Sequence, residues 1–243
     1  MQNLIPDNIS YKFFDKSFIQ SSGVYSLSHQ DNKTINSKQV ANNRQLVINY
    51  FSAKGLMILN QKHGNSVYYA KEINCMHEPV ADGVVTNLSQ LILSIQTADC
   101  VPVLLFDRDG TTIGAAHCGW RGTKANILKN VIYLMRNLNN MVNIKAIIGP
   151  AIQQASYEVD QNLYSAFIQE NSDYQSFFKP LDFDGKFLFD LVGLVQAKLL
   201  EENVEIVKVY QDNTYLLPKL YPSYRRDRHI NYHILSTIVI NNA

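Results

Sequence analysis

The chain predicts an α+β fold in which helices are layered on mixed β-sheets. Three observations carry this. Most strand-like segments precede the first strong central helix, strands and helices do not alternate strictly as in a doubly wound nucleotide fold, and no linker, repeat or long charge run divides the 243 residues. With 46% hydrophobic residues the chain has enough apolar surface for one large domain over residues 1–243.

The elements follow in order. Residues 37–51 space Val40, Leu46, Val47 and Tyr50 along one helical face, residues 56–59 read as a strand, and Gln61-Lys62-His63-Gly64-Asn65 as a turn. Residues 66–70, 83–86 and 91–95 are further strands. Val101-Pro102-Val103-Leu104-Leu105-Phe106, the turn residues Asp107-Arg108-Asp109-Gly110 and the apolar run 111–116 predict a hairpin with a four-residue loop. Phe106 then faces Thr111, and counting outward sets Cys100 opposite His117 with Cβ atoms about 5 Å apart. A one-residue slip would pair Cys100 with Cys118 instead and turn His117 to the other face. Thr123 is expected to cap a helix whose apolar stripe is Ile127, Leu128, Val131, Ile132, Met135 and Leu138. Residues 145–148 form a buried strand stopped by Gly149-Pro150, residues 162–169 and 188–202 look helical, and 204–210 is the last strand expected.

Composition excludes several classes. A formal net charge of +1 gives no basic field for a nucleic-acid polymer. No run approaches the ~20 apolar residues of a membrane span, and Met1-Gln2-Asn3-Leu4-Ile5-Pro6-Asp7 has no leader pattern, so a soluble, cytoplasmic protein is expected. Three cysteines, Cys75, Cys100 and Cys118, cannot all pair within the chain, which fits reduced thiols. Cys75 and His77 read as loop residues before Pro79.

Candidate chemistry gathers at the hairpin's open end. Cys100, His117 and His63 together offer a thiolate and two imidazoles, a donor set that suits zinc and leaves a fourth position open; an ordinary core cysteine is the competing reading. In His117-Cys118-Gly119-Trp120-Arg121-Gly122-Thr123, two glycines, a helix start and Arg121 suit an anion such as phosphate, against a plain strand-to-helix turn. Asp82 and Asp99 flank strand ends, where a carboxylate orients a histidine or accepts a proton. Arg44 and the run Ser223-Tyr224-Arg225-Arg226-Asp227 supply further cations, which surface solvation explains equally well.

Read together, Gln61-Lys62-His63-Gly64, Ala81-Asp82-Gly83-Val84-Val85-Thr86, Gln96-Thr97-Ala98-Asp99-Cys100-Val101-Pro102, Ala116-His117-Cys118-Gly119-Trp120-Arg121-Gly122-Thr123 and Ile148-Gly149-Pro150 resemble, in the same order, the motifs of the laccase-domain family. That family was first labelled polyphenol oxidase, and its members are also described as purine nucleoside phosphorylases. The resemblance implies a single-domain α-β sandwich with mixed sheets and a zinc site on His63, Cys100 and His117, where copper is possible. It also implies phosphorolysis of adenosine, inosine and methylthioadenosine to free base and ribose 1-phosphate, and deamination of adenosine, with small-molecule purine nucleosides and phosphate as partners. Arg121, Arg44 and Arg225 are then expected to bind substrate, and Asp99 or Asp82 to handle protons. A bacterial relative has been tied to peptidoglycan-precursor editing. The sequence departs from the family where a Cys-Thr pair gives way to Asp212-Asn213-Thr214, and where Arg228-His229 follows Asp227.

Three rivals remain. A metal-free cysteine hydrolase would use Cys100 as nucleophile and His117 as base. A multicopper polyphenol oxidase needs many more histidines, largely in His-x-His pairs, than the six unpaired ones here. A non-catalytic binding protein would direct Cys100 and His117 into separate pockets.

Overall fold

The computed structural model describes residues 4–18, 37–73, 77–139, 143–182, 185–228 and 232–242; Cys75 and His229 lie outside them. The elements run β1 (Ile9–Phe14), α1 (Ser37–Phe51), β2 (Gly55–Met57), β3 (Val67–Tyr69), β4 (Gly83–Thr86), β5 (Leu91–Thr97), β6 (Val101–Asp107) and β7 (Ile113–Cys118). They continue through α2 (Trp120–Lys124), α3 (Ile127–Asn139), β8 (Ile144–Ile148), β9 (Glu158–Asp160), α4 (Gln161–Ile168), β10 (Phe178–Pro180) and β11 (Lys186–Phe189). The last are α5 (Leu191–Glu201), β12 (Glu205–Val209), α6 (Tyr224–Asp227) and β13 (Ile234–Ile240).

Both larger sheets are mixed. The six-stranded one has the order β12-β8-β6-β7-β4-β3, the four-stranded one β1-β13-β5-β2, and a small antiparallel sheet β10-β11-β9. Side-chain alternation sorts the layers. Val101, Val103 and Leu105 of β6 and Ala116 and Cys118 of β7 pack with Ile127, Val131 and Met135 of α3 and with Leu194 and Val195 of α5. The opposite faces, carrying Leu104, Phe106, Ile113 and Ala115, pack on Leu93, Ile95, Ile234 and Ile238 of the four-stranded sheet. That sheet's far side, with Ile92, Leu235 and Val239, is covered by Val47 of α1. With both faces covered, β6, β7 and β13 are buried along their whole length, which is why they show no alternation of apolar and polar residues.

Several expectations are corrected. The helix over 37–51 forms, but Val40, Asn43 and Val47 make its buried stripe while Leu46 and Tyr50 are exposed. The chain does not close at residue 210: β13, absent from the sequence reading, is the central partner of β1 and β5. The helix after the tryptophan starts at Trp120 with Gly119 as its extended N-cap. Thr123 lies inside that short helix, its buried hydroxyl without a hydrogen-bond partner. A left-handed Asn126 (φ 63°) then separates α2 from α3.

The hairpin register also shifts. Phe106 pairs with Ile113 and Pro102 with His117, so six residues connect the strands instead of four. The cause is Asp107, whose carboxylate accepts from the amides of Asp109, Thr111 and Thr112 and from the Thr111 hydroxyl at 2.6–3.3 Å. Because the slip is two residues, every side chain keeps its face. Asp107→Ala is expected to destabilise the fold by about 2–3 kcal/mol, since it strands several donors at once, without altering ligand binding at the other end of the hairpin. Urea denaturation and metal analysis of the same variant check both halves.

Candidate metal centre

β7 lies between β6 and β4, and this position assembles the site. On the β6 side, Pro102 is opposite His117. Cys100 is two residues before Pro102, in the turn immediately ahead of β6, and its thiol meets His117 across the hairpin end. On the β4 side, Gly83 pairs with Ala116, which sets Asp82 opposite His117, and the His117 amide donates to the Asp82 carbonyl at 2.8 Å. His117 shares its face with Ala115 and Ile113, so its ring points to the space between the two large sheets, whereas Cys118 points to the helices.

Asp82 is the organising group. Its carboxylate accepts from three consecutive amides, Lys62 at 3.1 Å, His63 at 2.9 Å and Gly64 at 2.7 Å. The left-handed His63 (φ 59°) curls the backbone so that these amides converge, a small anion nest built around a side chain of the protein itself. The fourth donor is His117 Nδ1, 2.8 Å from Asp82 Oδ1. Burial alone would raise the Asp82 carboxyl, but the His117 contact and the Gly64 and Lys62 amides outweigh it and hold it below the usual carboxylate range. With Nδ1 bound to Asp82, His117 presents Nε2 to the ligand side.

His63, Cys100 and His117 thereby bring one ligand atom each to within 4.8 Å of one another, and the two imidazole centroids lie 4.6 Å apart. His63 is exposed, Cys100 partly buried and His117 buried, so the cluster opens to solvent on one side. Packed surroundings push the Cys100 thiol up, yet the His117 charge and the hydrogen bonds from His117 and His63 bring it down to about 6. Desolvation lowers His117, but Cys100 and Asp82 overcome it and raise it to about 9. Cys118 is the opposite case, a buried thiol pushed well up by desolvation and by the nearby charges of Cys100 and Asp82. A thiolate and two imidazoles on an open rim are the donors that a zinc ion takes, and the carboxylate behind His117 is the usual outer support. The residues fit the metal.

Gly119 completes the wall. A Cβ there would stand 3.0 Å from Cys100 Sγ, 3.1 Å from His63 Cδ2 and 3.8 Å from His117 Nε2. Gly119→Ala should therefore spread the ligand atoms and weaken metal binding about tenfold while the protein stays folded, as chelator competition would show.

The other expected residues are placed unevenly. Asp99 adjoins Cys100, and its carboxylate is filled by Thr214, Ser223 and the Arg225 amide. Like Asp82, it accepts hydrogen bonds from several donors of another segment. Arg225 lies over the Tyr157 ring, 5.4 Å from its centroid, and Arg121 over Trp120 at 4.2 Å. Arg44 is paired with Glu78. Sequence reasoning missed Tyr157. Burial raises its phenol and the charges of Cys100 and Asp99 push the same way, while Arg225 and Arg121 oppose them, so all four groups act on this one ring.

Comparison with known proteins agrees with this architecture. The family model described as multi-copper polyphenol oxidoreductase laccase matches residues 12–241. A protein of Rickettsia conorii named purine nucleoside phosphorylase is 41% identical over 99% of this chain and 100% of its own length. Purine nucleoside phosphorylase YfiH of Escherichia coli is 32% identical, covering 70% of this chain and 68% of that one. Among solved structures, Neisseria meningitidis protein NMB0706 superposes with a TM-score of 0.83 at 30% identity, covering 99% of this chain and 98% of its own. YlmD of Geobacillus stearothermophilus, at 22% identity and a TM-score of 0.80 over 97% and 93% of the two chains, shares the fold.

Proposed function

Because the chain belongs to the multi-copper polyphenol oxidoreductase laccase family, we propose that it is a zinc-dependent purine nucleoside enzyme. Its reactions are phosphorolysis of adenosine, inosine and methylthioadenosine to free base and sugar 1-phosphate, and deamination of adenosine to inosine. The supporting observation is the His63, Cys100 and His117 cluster, in a chain similar end to end to a protein named purine nucleoside phosphorylase. Zinc is the reading that the donor set favours, with copper able to take the same three ligands. The six histidines include no His-x-His pair, the arrangement that the several coppers of an oxidase require, so a single metal on the three ligands is the reading proposed.

The chain's own residues divide the work. His63, Cys100 and His117 would hold zinc, which when bound supplies Lewis acidity at neutral pH. Asp82 keeps His117 in the tautomer with Nε2 available and fixes the loop that carries His63. Arg121 and Arg225 neutralise phosphate as one of its oxygens bonds to the sugar C1′ and the purine departs with the electron pair of the broken C–N bond. Of the two alternatives that the sequence offers for Asp82 and Asp99, orienting a histidine or handling a proton, the hydrogen bonds that they accept support the orienting one. A cytoplasmic setting is consistent with Cys100 and Cys118, both free thiols among the described residues, and no helix among them is long and apolar enough to cross a membrane.

Elemental analysis beside chromatography of inosine incubated with and without phosphate tests the proposal. One zinc per chain and hypoxanthine that appears only with phosphate are expected; release of base without phosphate, or none in either case, overturns it. The placement of Cys100 and His117, whose ligand atoms lie within 4.8 Å of one another, also suits a second reading, a thiolate hydrolase with a Cys100/His117 dyad. That enzyme would survive chelation and be killed by alkylation.

A further inference from the structure

Asp99 sits in the turn between β5 and β6 with a left-handed φ of 95°, a backbone state that Asp and Asn tolerate better than most side chains. Its carboxylate points to the C-terminal segment, more than a hundred residues away in sequence. Oδ1 accepts from the Thr214 hydroxyl at 2.7 Å, and Oδ2 from the Ser223 hydroxyl at 3.0 Å and the Arg225 amide at 2.7 Å. Asp99, Thr214 and Ser223 are all buried. The segment is fastened again by Asn213, which donates to the Ser156 hydroxyl at 2.9 Å, one residue before Tyr157. The Arg225 guanidinium lies over Tyr157.

The nearby arginines differ in how they are used. Arg226 donates to the carbonyls of Thr214, Tyr215 and Tyr221 and pairs with Asp227, so it braces its own segment. Arg44 is bound to Glu78. Arg225 and Arg121 are stacked on aromatic rings and have no carboxylate partner among the described residues, which leaves their planar donor edges for an anion.

We propose that Asp99 is a positioning residue for phosphate: by holding the Arg225 amide, Thr214 and Ser223, it fixes the Arg225 guanidinium beside the Cys100 strand end, where it seats the phosphate with Arg121. This rests on the phosphorolytic reading of the site. The carboxylate touches neither substrate nor metal and acts only through the segment that it grips. Asparagine at position 99 keeps the backbone conformation but offers one acceptor oxygen where three donors converge.

The test is Asp99→Asn, Arg225→Ala and the double variant, assayed with inosine and inorganic phosphate. Asp99→Asn should raise the KM for phosphate about tenfold, the loss of one well-placed charge-assisted contact, with the KM for inosine and zinc content unchanged. In the Arg225→Ala background, Asp99→Asn should add nothing further. An unchanged phosphate KM, an equal rise for inosine, or multiplied effects in the double variant overturns the proposal. If Asp99→Asn does not fold, Thr214→Val removes one contact of the same clasp and should move the phosphate KM in the same direction; no movement counts against the proposal. Calorimetry with inorganic phosphate separates the two readings. A wild-type protein that binds phosphate but does not cleave inosine sinks the phosphorylase reading alone, whereas wild-type affinity for phosphate in Asp99→Asn sinks the Asp99 role.

Discussion

Cys100→Ala is expected to yield a folded protein that has lost its zinc and its nucleoside chemistry together. The thiolate is the one anionic donor of the three, and the two imidazoles that remain cannot neutralise a divalent ion. The fall in affinity should exceed the ~10–100-fold that losing an outer partner of a zinc ligand costs. Compared metal-free, the variant and the wild type should differ in stability by only about 1 kcal/mol, because Cys100 is partly exposed and its removal opens no closed cavity. Elemental analysis and a product assay on one preparation read both effects; full zinc occupancy in the variant would sink the ligand assignment. Cys118→Ala is the control. Its side chain is on the helix-facing side of β7, so it should keep zinc and lose a little stability.

Asp82→Ala should do the most damage for a residue that touches no ligand. It leaves the partly buried amides of Lys62, His63 and Gly64, and the buried His117 Nδ1, without their acceptor. Breaking a buried, multiply bonded charge of this kind costs about 3–5 kcal/mol, and the lost orientation of His117 should weaken zinc by about 10–100-fold. Denaturant unfolding of the metal-free protein measures the first, and chelator competition the second. A variant with wild-type stability would show that the amides find water readily and that the nest is not what holds the His63 loop.

The sequence made some of this legible and hid the rest for identifiable reasons. Residues 37–51 and 83–86 were readable from period and turn chemistry alone, and the two structural elements keep those bounds. The meeting of Cys100 with His117 was readable because the hairpin is local. The loop length was not, because Asp107 collects donors from beyond the four expected turn residues. The Asp82 to His117 contact depends on β4 pairing with β7 across two intervening strands, a non-local choice that no spacing announces. The clasp on Asp99 joins residues 115–126 positions apart, which is further still beyond local pattern. β13 is different: the run Ile234-Leu235-Ser236-Thr237-Ile238-Val239-Ile240 carries an ordinary strand signal, though it lies beyond the last strand expected.

The central place of β7 gives the cluster a role in folding as well as in chemistry. Its three ligand-bearing residues come from separate segments, and they converge only if β6, β7 and β4 are paired in the native alignment. A hairpin displaced by a single residue would bring Cys118 to the intersheet side and carry His117 to the helix side, dispersing the donors. A bound ion stabilises only conformers that present the complete donor set, by an amount that grows with the logarithm of its concentration over Kd. The site therefore acts as a proofreader of strand alignment, withdrawing population from misaligned sheets in proportion to the supply of metal.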